Sequence, residues 1–175
     1  MAPRPVPPSV RPHLLAAALT FVRAAHEVPG VTRIALIGSR ATDEPSPKDV
    51  DLLVTVTPDA NLSPLAALGR KLQANAQCGT GRGGEVFLAD PSGNYLGRLC
   101  PWRECGPGLH RDCDAQHCGR RLYLHDDLQV VSLSRDLVAA PPLELWPRIV
   151  IRGDLPNDVQ QALVEPLKQE EAGNG

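Results

Sequence analysis

The sequence predicts an α/β (α+β) fold, a mixed β-sheet with helices mainly on one face, and three observations lead there. Between His13 and Val28 the apolar residues Leu14, Leu15, Ala18, Leu19, Phe21, Val22 and Ala25 recur at helical spacing, and Pro29-Gly30 ends the run. Thr32 to Ile37 and Val50 to Thr57 are short, apolar and partly β-branched, as buried strands are. Ser63-Pro64 then opens a second helix, carried by Leu65, Leu68 and Leu72 to about Ala76 and broken by Gly79, Gly81, Gly83 and Gly84.

The later elements are shorter. Glu85 to Ala89 reads as a third strand, and Pro91-Ser92-Gly93-Asn94 supplies the turn to a fourth, Tyr95 to Leu99. Arg121 to Leu124 and Leu128 to Leu133 suggest a further strand or pair, and Leu143 to Ile151 is apolar but interrupted by Pro147. Residues 1–12 hold five prolines and no periodic apolar face, so a flexible arm is expected there. The domain proper is expected over 13–153, with an insertion at about 99–121 and a peripheral polar tail over 154–175.

Composition narrows the function. The 175 residues suit one domain with a real core, and 42% hydrophobic with 22% charged residues is ordinary for a globular chain. Aromatics make up 3%, so base-stacking platforms for single-stranded nucleic acid are nearly lacking. A net charge of −2 gives no general attraction for phosphate backbones or anionic lipid. No apolar stretch approaches the ~20 residues that span a bilayer, and the chain reads as a cytoplasmic protein with no membrane partner.

Chemistry concentrates in "IALIGSRATDEPSPKDVDLLVTV". Alternation along a strand sends Asp49 and Asp51 from one face, with Cα atoms about 6.5 Å apart. Such a pair repels itself unless a cation lies between, and Mg²⁺ takes carboxylates together with substrate phosphates. Gly38 lets a triphosphate approach the backbone, and the Ser39 hydroxyl can donate to its oxygens. Read without function, Asp49 is a loop residue beside Pro47 and Asp51 a solvated strand residue.

The strand, Gly38-Ser39, a polar loop and Asp49-Val50-Asp51 followed by Leu52-Leu53-Val54 together resemble the signature of the DNA polymerase β-like nucleotidyltransferases, in particular their minimal members. The resemblance is specific over residues 31–57. It implies Mg²⁺ on Asp49 and Asp51, nucleotide phosphates held at Gly38, Ser39 and Arg40, and a nucleoside triphosphate as substrate. A third carboxylate is expected on the strand after the next helix. Glu85 in "GGEVFLAD" is best placed as the catalytic residue assisting the attacking hydroxyl, with Asp90 and Asp127 as weaker choices. Two departures stand out: the loop after Ser39 is one residue shorter than usual and lacks its glycine, and the third carboxylate is normally an aspartate.

Four cysteines, Cys100, Cys105, Cys113 and Cys118, fall in "CPWRECGPGLHRDCDAQHCGRR" with His110 and His117 between them. Thiolates and imidazoles gathered around Gly106-Pro107-Gly108 suit a structural Zn²⁺. An iron–sulfur cluster, a disulfide pair and unligated thiols are the competing readings. Cys78, at a helix end, is expected to be a small buried hydrophobe. Arg103, Arg111, Arg120 and Arg121 are expected around the metal, either presented to an anionic acceptor or simply solvated. The expected activity is Mg²⁺-dependent transfer of a nucleoside monophosphate from the triphosphate to an acceptor that is a small molecule, RNA or protein. The alternative is a non-catalytic module of the same fold that binds nucleotide, or a protein or nucleic-acid partner through its zinc loop.

Overall fold

A computed structural model describes residues 10–37, 49–77, 83–100, 121–125 and 133–173. Among the described residues, seven strands form one mixed sheet in the order β5-β4-β3-β2-β1-β6-β7. They are β1 (Val31–Ile37), β2 (Asp49–Val56), β3 (Gly83–Ala89), β4 (Tyr95–Leu99), β5 (Leu124–His125), β6 (Leu143–Trp146) and β7 (Val150–Ile151). The helices are α1 (Val10–Ala25), α2 (Ser63–Gln77), α3 (Arg135–Ala139), α4 (Asn157–Val159) and α5 (Glu165–Gly173), the last two joined by a π-helical turn, Gln160–Val164. The architecture is therefore the mixed α/β one. Among the described residues no helix is long and apolar enough to cross a membrane.

β2 lies at the centre of the sheet, antiparallel to β1 and parallel to β3. Parallel neighbours need a crossover, and α2 provides it. The sheet's first face carries Ile34, Leu36, Leu52, Val54, Val56, Val86 and Leu88, which pack with Leu14, Leu15, Ala18, Phe21 and Val22 of α1 and with Leu65, Ala66 and Leu72 of α2. Alternation sends Ala35, Ile37, Leu53, Phe87 and Ala89 to the second face, where they meet Val138 of α3. Helices thus lie mainly, though not solely, on one face.

Glycine is required at two places that set how strands and helices meet. Gly30 joins α1 to β1 at φ +92°, and a side chain there would collide with the Cβ of Ala60 in the β2–α2 loop. Gly84 lies beside Glu85 on β3, where a Cβ would come within 2.9 Å of Leu72 Cγ, so its absence seats α2 directly on the strand. The glycine run does break α2, yet Gly83 and Gly84 belong to the following strand.

Three boundaries depart from expectation. α1 starts at Val10, so Val10 to Pro12 form its first turn and not part of the arm; a proline is tolerated there because the first turn has no partner for its missing N–H. The stretch over 143–151 divides into β6 and β7, which turn back on each other at Pro147 with Leu143 opposite Ile151. The largest correction concerns residues 154–175. Their charged residues suggested a peripheral tail, but Val159, Leu163, Val164 and Leu167 are buried in the main core beside α1. Leu163 and Val164 lie in the π turn, between Val159 of α4 and Leu167 of α5. Arg23 of α1 and Glu170 of α5 form an exposed ion pair across the same contact, a minor contribution beside the apolar burial.

Burying a leucine stabilises by about 1.5–3 kcal/mol, and truncating one adds a cavity cost. Leu163→Ala is expected to lower unfolding free energy by about 2–4 kcal/mol in urea titrations, whereas Leu122→Ala, at a residue 60% exposed, should change it by about 0.5 kcal/mol or less.

Candidate functional site

The candidate site is a row of side chains on the second face, at the end of the sheet where β1 finishes. Ile37, the last residue of β1, is the register partner of Asp51 on β2, and Asp51 is in turn opposite Glu85 on β3. Cross-strand partners share a face, so the acids of Asp51 and Glu85 issue side by side from strands about 4.8 Å apart. Asp49 is the first residue of β2, two positions before Asp51, and pairs with Gly83. Gly38, Ser39 and Arg40, expected to hold phosphates, lie outside the described residues but follow directly on Ile37 in the chain. The row that the sequence suggested is therefore brought together for Asp51 and Glu85 by strand register alone.

One residue in this row was not foreseen. Arg98 of β4 is opposite Phe87, one step from Glu85 on the same face, and its Nη1 donates to Glu85 Oε1 at 2.8 Å. Arg98 is also the register partner of His125 on β5. The signal was present: a single cation in the otherwise apolar "YLGRL", four residues after a recognisable hairpin turn, lies diagonally across from Glu85 once the hairpin is closed.

The other proposed acids have different places. Asp90 follows the last residue of β3, five residues from Glu85 and about 16 Å along the strand direction. Burial pushes its carboxyl up, but this is outweighed by hydrogen bonds from the Asn94 backbone and side chain and the Ser92 N–H, with help from Arg135, and its pKa falls below the ordinary value. Asp90 is thus the organiser of the β3–β4 turn and not a base for this row. Asp127 lies outside the described residues.

In the cysteine-rich segment, Cys100 is buried just after β4, and its N–H donates to the Tyr123 carbonyl at 2.8 Å, which closes the base of the insertion. Cys105, Cys113 and Cys118 lie outside the described residues, as do Cys78, His110 and His117. Arg121 is not presented to solvent ligands: its Nη2 donates to the Thr57 and Ala60 carbonyls at 2.9 and 2.6 Å, tying the end of the insertion to the β2–α2 loop. Among the described residues, no group of three or more His, Cys, Asp or Glu side chains is gathered closely enough to hold a metal ion.

Four residues along β2 from Asp51, about 13 Å away, the second face carries a different assembly. Arg33 donates from Nε to Glu144, from Nη1 to the Val138 carbonyl at 2.9 Å and from Nη2 to the Ala139 carbonyl at 2.9 Å. Arg152 completes the group, 2.6 Å from the other Glu144 oxygen. Arg33 so binds the terminal carbonyls of α3 and latches that helix onto the sheet beside a cavity of about 430 Å³ lined by Thr32, Thr55, Ser92 and Pro147 among others. Burial raises the Glu144 pKa, but the hydrogen bonds and charges of Arg33 and Arg152 outweigh it and hold the carboxyl below its ordinary value.

Comparisons with protein-family models and with curated proteins found no match. The functional reading therefore rests on the residues themselves.

A group with a depressed folded-state pKa contributes stability above its unfolded pKa and loses it as pH falls through the folded value. Wild-type protein is expected to lose stability between about pH 5 and pH 3, the range below an ordinary glutamate pKa, and the loss should be shallower in Glu144→Gln, which starts less stable at neutral pH. Urea midpoints measured across this range check the slope.

Proposed function

We propose that the chain is a Mg²⁺-dependent nucleotidyltransferase with a DNA polymerase β-like fold, which moves a nucleoside monophosphate from a nucleoside triphosphate to a small-molecule, RNA or protein acceptor. The observation that carries this reading is the register match of Ile37, Asp51 and Glu85 across three adjacent strands. It puts two hard carboxylate donors beside the strand end that leads into Gly38-Ser39, and carboxylate oxygens are the donors Mg²⁺ prefers. Asp49 and Asp51 would hold the ion, with Ser39, Arg40 and the Gly38 backbone on the phosphates. The bound ion would neutralise charge on the triphosphate and orient it for in-line attack. Glu85 would take or orient the acceptor's hydroxyl proton.

A second reading, a non-catalytic module that binds nucleotide or a partner, has one observation in its favour. Glu85 already holds Arg98 at 2.8 Å, so one of its oxygens is occupied by the guanidinium and not open to an acceptor hydroxyl. With α-labelled triphosphates and Mg²⁺, label is expected on an acceptor or on the protein itself, and Asp51→Ala should reduce transfer by about a hundredfold or more. Nucleotide binding with no transfer by the wild type would favour the module.

For the insertion we read a structural Zn²⁺ on Cys100, Cys105, Cys113 and Cys118. The buried sulfur-bearing residue at its base and the closure of that base by the Cys100–Tyr123 hydrogen bond support a compact ligand loop. Purified, reduced protein should contain about one zinc per chain by elemental analysis, and Cys105→Ser should lose most of it. A content far below one in the wild type would remove the zinc.

A further inference from the structure

The acid row raises an electrostatic question that its own residues answer. Asp51 and Glu85 lie in register on neighbouring strands, and like charges so placed are destabilising unless a cation attends them. Among the described residues, Arg98 is a cation that meets Glu85. Its position opposite Phe87 fixes its Cα one step from Glu85, and the guanidinium reaches back along the diagonal to make the 2.8 Å contact. The two side chains are 32% and 39% exposed, so the pair is solvent-accessible and exchangeable, not locked in the core. Arginine also has the planar fork that matches phosphate oxygens, which lysine lacks.

We propose that Arg98 is a substrate-positioning residue that serves as counter-ion to Glu85 in the ligand-free protein and passes to a phosphate group when a divalent cation reaches the acid row. The cation takes over neutralisation of Glu85, and the guanidinium, repelled by it and released from the carboxylate, turns to the phosphate oxygens of the triphosphate. Arg98 therefore adds to the coupling that direct metal–phosphate contact gives, and the coupling is reciprocal. This inference rests on the proposed metal site, but its test reads binding and not turnover.

Titration calorimetry on the full chain with Mn²⁺ alone, and with inorganic tripolyphosphate in the presence and absence of Mg²⁺, separates the possibilities. Arg98→Met removes the competitor, so Mn²⁺ is expected to bind about fivefold tighter, the size of a partly exposed ion pair, while the Mg²⁺-dependent gain in tripolyphosphate affinity shrinks to what direct metal–phosphate contact supplies. Arg98→Lys, which keeps the charge but not the fork, should fall between wild type and Arg98→Met in both. Glu85→Gln removes the ionic hold of Glu85 on Arg98 without a metal, so tripolyphosphate alone should bind tighter and Mn²⁺ weaker than in the wild type. If Mn²⁺ binds the wild type but no tighter to Arg98→Met, the Arg98 role is overturned and the nucleotidyltransferase reading stands. If Mn²⁺ binds the wild type no better than Asp51→Ala, both fall together.

Discussion

The parallel pairing of β2 with β3 is the constraint on which the site depends. Register there is held by the first face, where Leu52 and Val54 alternate into the core beside Val86 and Leu88 and beneath α2. A slip of one residue would send that apolar set to the second face, at a cost of several buried side chains. Fixing the core therefore also fixes which acids meet. Asp51 faces Glu85 because Leu52 must face Val86, so the chemistry of one face is specified by the packing of the other.

This explains what was legible in the sequence. β2, α2 and the β3–β4 hairpin are each written locally, by alternation, by Ser63-Pro64 and by the Asp90–Asn94 turn, and each formed within a residue or two of its expected place. Once two neighbouring strands are right, their acids come together without further information. α3 was missed because five residues offer less than two turns of periodicity, and it is held from outside by Arg33, which is 105 residues away from the Val138 carbonyl it binds. The C-terminal segment was misread because four buried residues are spread over two short helices and a π turn among many charges, and only the partner surface of α1 reveals their common face.

Arg98 belongs between these extremes. Its strand was read correctly, but its role emerges only when the hairpin is closed and strand order is known, since its partner Glu85 is thirteen residues back. Its pairing with Glu85 also gives the length of that side chain a physical role. A longer carboxylate can span the diagonal to β4, whereas a shorter one would stay nearer its own strand.

Stability and chemistry are segregated along the sheet. At the end away from the acids, Thr57 donates to the Gly30 carbonyl, Ala60 nests against Gly30, Arg121 clasps both Thr57 and Ala60, and Arg33 latches α3. Segments distant in the chain are cross-braced there, while the acid row stands on strand ends that none of those braces touch. Substitutions along that rim can thus accumulate without loosening the frame, and such a scaffold is free to exchange one substrate for another over evolutionary time.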